Sequence, residues 1–160
     1  MIKTAILTLS DSCFRGTKND ESAPIIKNLI KKINATVTSY DILPDEKDII
    51  IKGLIELSKT ADLLITTGGT GLSPRDVTPD ATLSVIDKEI RGITDLMRTE
   101  SLKITKKAAL SRAVCGIKNQ CLIINLPGSP KAVEETLSSI LEILPHAIEK
   151  IKGSSEPCAR

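Results

Sequence analysis

The chain has 160 residues, a formal net charge of +2, and only two aromatic residues, Phe14 and Tyr40, with no Trp. So few aromatic side chains count against single-stranded nucleic-acid binding, in which bases stack on aromatic rings, and the near-balanced charge counts against double-stranded nucleic acid. With 41% hydrophobic residues, this length is typical of one folded domain, which we place at residues 1–153, followed by a flexible tail at residues 154–160.

The cysteines and the N-terminus indicate the compartment. Cys13, Cys115, Cys121 and Cys158 form no CxxC pair, so we expect free thiols in a reducing cytoplasm rather than a structural zinc site. The apolar run at the N-terminus meets Asp11 too soon to be a signal peptide or a membrane span. We therefore predict a cytoplasmic protein with no membrane partner.

The first half of the chain alternates between β-rich and helical segments. Short apolar runs with β-branched residues predict strands at residues 2–10, 36–43 and 63–66. Apolar side chains recur at helical spacing between residues 25 and 33, and Pro44-Asp45-Glu46 opens a second predicted helix. The third strand runs directly into a glycine-rich loop.

The second half contains more helices and a pair of strands. Thr78-Pro79 has the N-cap and N1-proline signature of a helix start. We predict a helix from Thr78 to about Lys88, a helix at residues 93–102, paired strands at 113–117 and 121–126, and a long helix from Pro130 to Gly153. This order predicts an α/β fold: a three-layer, doubly wound, mostly parallel sheet with a small β-hairpin.

Polar clusters lie at the ends of four of the predicted strands. They are Ser10-Asp11-Ser12, Pro44-Asp45-Glu46, the segment from Thr66 to Gly71, and the segment from Asn125 to Pro130. In open α/β sheets, ligands bind beyond the carboxyl ends of the strands. The convergence of four clusters at such ends therefore predicts one binding site.

The Gly68-Gly69-Thr70-Gly71 loop lets backbone N–H groups approach an anion without a Cβ in the way. It lacks the GK[ST] ending of a P-loop and does not match GxGxxG, which disfavours dinucleotide binding of the usual kind. A loop of this type is often only a tight turn. Its place between a strand and a helix favours an anion site.

Two acidic residues and one helix start stand close to these loops. Asp45 is either a dipole partner for the next helix or, with Asp76, a ligand for Mg²⁺, which proteins commonly hold with one or two carboxylates and phosphate oxygens. Asp76 also has the alternatives of pairing with Arg75 or capping the next helix. Ser129 is a helix cap whose N-terminus also suits an anion, and Lys131 in the first turn is disfavoured by the dipole unless a phosphate lies near.

Several motifs carry a family resemblance. The segment from Thr66 to Gly71, Arg75-Asp76-Val77-Thr78-Pro79-Asp80, and the segment from Asn125 to Lys131 resemble the signatures of the molybdopterin-binding domain superfamily. Ser10-Asp11, Leu43-Pro44-Asp45-Glu46 and Leu110-Ser111-Arg112 also match in order and spacing. The resemblance runs from about residue 3 to residue 152. The chain is most similar to the Mog/MoaB-type molybdopterin adenylyltransferases of molybdenum cofactor biosynthesis.

This resemblance implies a reaction and a site. With Mg²⁺, the terminal phosphate of molybdopterin attacks the α-phosphorus of ATP, giving adenylyl-molybdopterin and pyrophosphate. It implies that Asp45 and Asp76 serve catalysis and hold Mg²⁺. The residues that it implies for nucleotide and pterin phosphate binding are Ser10, Asp11, Gly68, Gly69, Thr70, Gly71, Pro127, Gly128, Ser129 and Lys131.

The resemblance also implies a homotrimer and a downstream molybdenum insertase as a partner. Arg75 and Arg112 are either phosphate ligands or structural ion pairs, and Phe14, near the site, is a candidate to cover one ring.

Two alternatives to an active adenylyltransferase stay open. In the first, the chain is a catalytically weak paralogue that only binds the pterin. In the second, it shares the fold but not the substrate, since related domains also occur in molybdenum insertases and in competence/damage-inducible proteins.

Overall fold

One mixed sheet of six strands organises residues 1–155, the part of the chain that the computed structural model describes. Residues 156–160, with Cys158 and most of the predicted tail, lie outside the described residues. The strands are β1 (Ile2–Leu9), β2 (Ala35–Leu43), β3 (Leu63–Thr67), β4 (Lys88–Glu89), β5 (Cys115–Lys118) and β6 (Cys121–Leu126), in the order β2-β1-β3-β6-β5-β4.

The strand directions confirm the predicted doubly wound sheet. β2, β1, β3 and β6 are parallel, whereas β5 pairs antiparallel with β6 to form the predicted hairpin. The chain runs from β1 to β2 on one side and then to β3 on the other. The sheet therefore has its switch point between β1 and β3, where a crevice forms at the carboxyl ends of the strands.

Helices cover both faces of the sheet. They are α1 (Asp11–Phe14), α2 (Ser22–Ile30), α3 (Lys47–Leu57), α4 (Thr78–Val85), α5 (Arg91–Leu102), α6 (Pro130–Ile140) and α7 (Leu144–Ile151). Alternate β3 side chains enter opposite cores: Leu63 and Ile65 pack with α2, α5, α6 and α7, and Leu64 packs with α3 and α4. This period of two gives the predicted three layers.

The predicted helix from Thr78 is shorter than expected and ends at Val85. Ile86 is already extended, and the Asp87 N–H donates to Ile117 O at 2.7 Å. The Asp87 carboxylate accepts hydrogen bonds from Lys118 Nζ and from the Asn119 N–H. These contacts with the hairpin pull the chain out of the helix and create the unpredicted strand β4.

The predicted long helix from Pro130 to Gly153 is interrupted. It ends as α6 at Ile140, passes through a 3₁₀ turn at Leu141–Ile143, and resumes as α7 with Pro145 in its first turn. Proline has no N–H, and its ring would clash with the carbonyl four residues earlier, so a straight helix cannot pass through it. Gly153, with φ +90°, follows α7 as predicted.

Within residues 1–155, no helix is both long and apolar enough to cross a membrane.

Candidate active site

The four polar clusters meet at the carboxyl edge of the sheet, around a cavity of about 310 Å³. We call it the main cavity, because both predicted carboxylates, Asp45 and Asp76, line it. The predicted site residues that line this cavity are Ser10, Asp45, Gly68, Gly69, Asp76, Gly128 and Ser129. Thr70, Gly71 and Pro127 instead line a second cavity of about 270 Å³, between α5 and α6. Asp11 and Lys131 line neither cavity.

Gly68 begins the glycine loop in a conformation that other residues avoid. Its φ is +102°, and a Cβ at this position would overlap the backbone oxygen of Leu9. The Gly68 N–H donates to Leu126 O at 3.2 Å. Because the sheet already uses this donor, the predicted binding of a phosphate by the Gly68 N–H would require that hydrogen bond to be shared or broken. The glycine at position 68 lets the loop backbone pass close to Leu9 O, where a Cβ would not fit.

The carbonyl groups of the loop are all held by the protein. The Gly68 and Gly69 carbonyls accept hydrogen bonds from Thr78, through Oγ1 at 2.9 Å and N–H at 3.2 Å. The Thr70 and Gly71 carbonyls accept from Arg112, through N–H and Nε, both at 2.9 Å. By contrast, the N–H groups of Gly69, Thr70 and Gly71 have no acceptor within residues 1–155. Successive unpaired amides of this kind bind anions.

Glycine at position 69 also lets Asp45 approach the loop. A Cβ on Gly69 would overlap Thr78 Oγ1 and would lie 3.2 Å from Asp45 Oδ1. A Cβ on Gly71 would lie 2.9 Å from Asp76 Oδ2. The two predicted carboxylates therefore pack directly against the glycine loop.

The second loop, Pro127-Gly128-Ser129, is fixed against the first. Thr67 Oγ1 donates to Pro127 O at 2.7 Å, and Ser22 Oγ donates to Gly128 O at 3.0 Å. A Cβ on Gly128 would lie 3.3 Å from Gly68 Cα. Ser129 Oγ accepts the Ala132 N–H, which confirms the predicted cap of α6.

Asp11 and Asp45 hold each other through their backbones. The Asp11 N–H donates to Asp45 Oδ2, and the Asp45 N–H donates to Asp11 Oδ1, both at 3.0 Å. Asp45 Oδ1 is buried and has no hydrogen-bond partner within the described residues. Burial raises the pKa of Asp45 above its usual value, and the nearby carboxylates of Asp11 and Asp76 add to the rise.

Arg75 pairs with Asp11 rather than with Asp76. Its Nε and Nη2 donate to Asp11 at 2.8–3.1 Å, and its Nη1 donates to Glu46 Oε1 at 2.9 Å. The Asp45 N–H and then Arg75 lower the pKa of Asp11. Asp76 Oδ2 accepts the Ser73 N–H at 2.9 Å, so Asp76 closes its own turn.

Arg112 has the structural role that the sequence left as an alternative. Besides Gly71 O, its guanidinium donates to Asp76 O and to Asp80 Oδ2, the latter at 3.2 Å from both Nη1 and Nη2. It thereby ties the glycine loop to α4. Two other candidates do not line the main cavity: Phe14 is 56% exposed, and the Lys131 side chain is 83% exposed with Glu135 Oε1 3.9 Å away.

Sequence reasoning missed Asp20, which lines the main cavity. Asp20 Oδ2 accepts hydrogen bonds from Thr8 Oγ1 and from the Tyr40 hydroxyl, and Oδ1 accepts the Ser22 and Ala23 N–H groups. Burial alone would raise the pKa of Asp20, but these four donors outweigh it and lower the pKa. Burial and Asp20 together raise the pKa of Tyr40 to about 12. The position of Asp20 just before a helix was the only local signal.

Asn125 is a buried support of the site. Its Nδ2 donates to the hydroxyls of Thr66 and Thr82 at 3.0 and 2.9 Å, and its Oδ1 accepts the Val114 N–H at 3.1 Å. Every polar group of this side chain has a partner, as burial demands. Asn125 therefore fixes the end of β6 from which the second loop departs.

No cluster of three or more His, Cys, Asp or Glu side chains suited to a metal ion occurs within residues 1–155. The unpartnered Asp45 Oδ1 nevertheless fits a cation that takes most of its ligands from elsewhere. Mg²⁺ behaves in this way, since it is commonly bound by one or two carboxylates together with phosphate oxygens and waters.

The chain is similar to known proteins over almost its whole length. A family described as "Probable molybdopterin binding domain" matches residues 5–146. The chain is 40% identical over 157 residues to the molybdopterin adenylyltransferase of Helicobacter pylori strain J99, covering 96% of this chain and 89% of that protein.

Two further similarities concern a longer protein and a solved structure. Over 156 residues the chain is 46% identical to the molybdenum cofactor synthesis protein cinnamon of Drosophila melanogaster, covering 94% of this chain but 26% of that protein. The crystal structure of the molybdopterin biosynthesis enzyme MoaB from Thermus thermophilus matches with a TM-score of 0.91 and 42% identity, covering 96% of this chain and 98% of that one. These findings confirm the resemblance and the fold class predicted from the motifs.

Proposed function

Because the chain belongs to the molybdopterin-binding domain family, we propose that it transfers the adenylyl group of ATP to the terminal phosphate of molybdopterin. The reaction forms a bond between a phosphate oxygen of molybdopterin and the α-phosphorus of ATP, and it breaks the bond to the departing pyrophosphate. The substrate supplies the nucleophile, so the protein needs to align the phosphates and neutralise their charge.

The observation that carries this proposal is the buried, unpartnered oxygen of Asp45 beside a loop with free N–H groups. A buried carboxylate oxygen without a donor is costly unless a ligand or a cation completes it. A cation held there by Asp45, with Asp76 nearby, would draw its other ligands from the phosphates. Mg²⁺ in that position would neutralise charge on the triphosphate and on the leaving pyrophosphate.

The loops supply the remaining contacts in this proposal. The N–H groups of Gly69, Thr70 and Gly71 face no protein acceptor within residues 1–155 and suit phosphate oxygens. The N-terminus of α6, which follows Gly128 and Ser129, adds a favourable dipole for an anion. Asp11 acts through Asp45, because the two residues exchange hydrogen bonds with each other's backbone N–H.

The test is release of pyrophosphate from ATP and Mg²⁺ in the presence and absence of molybdopterin. We expect release only with molybdopterin, and we expect Asp45→Asn and Asp76→Asn to lower kcat by at least about 100-fold, the scale of losing an electrostatic stabiliser. Asp41→Asn, at an exposed carboxylate on β2, is the matched control and should keep the wild-type rate. Full activity of both site variants would contradict the assignment, and pterin binding without pyrophosphate release would identify a catalytically weak paralogue.

The proposal extends to the assembly and the cellular setting. A homotrimer would cover exposed apolar side chains such as Leu72, 64% exposed, and Ile104, 55% exposed. The buried free thiols of Cys115 and Cys121 agree with a reducing cytoplasm. The adenylylated product would pass to a molybdenum insertase. The mass in solution tests the trimer, since a monomer at micromolar concentration would contradict it.

A further inference from the structure

The main cavity has an unfavourable charge for the nucleotide that the proposed function requires. The carboxylates of Asp20, Glu21, Asp45 and Asp76 line it, whereas Lys18 is the one cationic residue among the described residues that do so. A nucleoside triphosphate is itself strongly anionic, and like charges in a partly enclosed site repel. A divalent cation at Asp45 offsets only part of this charge.

Two arginines close to the site, Arg75 and Arg112, are already engaged. Arg75 is held by the Asp11 carboxylate, at 2.8 Å, and by Glu46, at 2.9 Å. Arg112 donates to Asp80 and to carbonyls of the glycine loop and its neighbour. Neither arginine lines the main cavity. Recruiting either of them would break the contacts that shape the loops.

Lys18 differs from both arginines because only its backbone is fixed. The Lys18 N–H, the Thr17 N–H and Thr17 Oγ1 all donate to Ser12 O, at 3.3, 3.0 and 3.0 Å. Two residues further on, Asp20 is fixed by four hydrogen bonds. Within residues 1–155 the Lys18 ammonium forms no ion pair. A lysine with an anchored backbone and an unpaired head is suited to follow a phosphate as a point charge.

We propose that Lys18 is a substrate-binding residue, whose ammonium contacts the polyphosphate chain of a nucleoside triphosphate. This inference rests on the proposed function, because it presumes a nucleotide in the main cavity. It names the charge-bearing part of the nucleotide as the ligand of Lys18. The contact should therefore matter more for a triphosphate or for inorganic pyrophosphate than for a monophosphate, which carries less charge.

The experiment compares Lys18→Met with Lys18→Arg and with Lys32→Met. Lys32 is an exposed lysine after α2 that lines neither cavity, so it is the matched control. Calorimetry with Mg²⁺ at fixed ionic strength would measure binding of ATP, AMP and inorganic pyrophosphate. For Lys18→Met we expect about tenfold weaker binding of ATP and pyrophosphate, and less than about threefold for AMP. Lys18→Arg should restore ATP binding, and the KM for ATP should rise more than kcat falls.

Three results would overturn the inference: ATP affinity of Lys18→Met within about twofold of wild type, an equal loss in Lys32→Met, or no recovery in Lys18→Arg. Turnover of the wild type with molybdopterin shows whether the role of Lys18 or the proposed adenylyl transfer has failed. If the wild type is active and Lys18→Met binds ATP normally, only the role of Lys18 is wrong. If ATP binding depends on Lys18 but no adenylyl transfer occurs, the reaction is wrong and the contact stands.

Discussion

Gly68→Ala tests whether the first loop depends on its contact with β1. The mutation places a methyl group at a residue with φ +102°, where it overlaps the backbone oxygen of Leu9. A non-glycine residue in such a conformation costs about 1–3 kcal/mol. A backbone oxygen cannot move away by changing a rotamer, so the overlap adds to this cost. We expect the free energy of unfolding to fall by about 2–4 kcal/mol.

Urea unfolding followed by circular dichroism measures this loss, and Gly92→Ala provides the control. Gly92 lies in the first turn of α5, and nothing lies within 4 Å of a Cβ placed there. Alanine favours a helix over glycine by up to about 1 kcal/mol, so Gly92→Ala should be neutral or slightly stabilising.

The two variants should also differ in ligand binding. Because Gly68 contacts Gly128, a displaced first loop moves the second, and Gly68→Ala should lose ATP affinity even where it remains folded. If the free energy of unfolding of Gly68→Ala lies within about 0.5 kcal/mol of the wild-type value, the loop does not depend on close contact between Gly68 and Leu9 O. That result would refute the reasoning.

Three further predictions concern single side chains. Asp45→Asn should stabilise the folded protein at pH 7 by up to about 1 kcal/mol, because burial and like charges raise the pKa of Asp45. This advantage should be present above the folded-state pKa and vanish below the ordinary value of 3.8; urea unfolding across pH checks it, and a destabilised variant at pH 7 would contradict it. Tyr40→Phe removes a hydrogen bond to the charged side chain of Asp20, so the free energy of unfolding measured in urea should fall by about 1.5–3 kcal/mol. An unchanged free energy of unfolding would mean that this bond does not stabilise the fold. Arg112→Met removes the hydrogen bonds to two carbonyls and leaves Asp80 without its ion pair, so the free energy of unfolding should fall by about 1–3 kcal/mol. The KM for both substrates should rise. A higher KM for molybdopterin alone would instead identify Arg112 as a ligand of molybdopterin.

The sequence predicted the sheet well because its strands are short apolar runs. β1, β3 and β6 are almost fully buried, and a buried parallel strand needs apolar residues on both faces. The helix break at Pro145 was not predicted, because the amphipathic spacing continues across it into Ile148. The strand β4 depends on contacts with a hairpin about 30 residues away, which no local pattern records.

The site was predictable where glycine and the strand ends mark it, and unpredictable where partners come from distant segments. Arg75 and Asp11 are 64 residues apart, and Tyr40 and Asp20 are 20 apart on different elements. Asp45 was expected just before a helix and lies two residues before α3, which begins at Lys47, but its pairing with Asp11, 34 residues away, left no local signal. Phe14 was a candidate to cover a ring, yet it lines neither cavity.

The hydrogen bond from the Gly68 N–H to Leu126 O joins the first loop to the central strands of the sheet. Amides in such positions exchange with solvent only when the central strands open, at a free energy close to that of global unfolding. Slow exchange at Gly68 should therefore accompany faster exchange at Gly69, Thr70 and Gly71, whose N–H groups have no acceptor within residues 1–155. The start of the glycine loop would then stay in place throughout turnover.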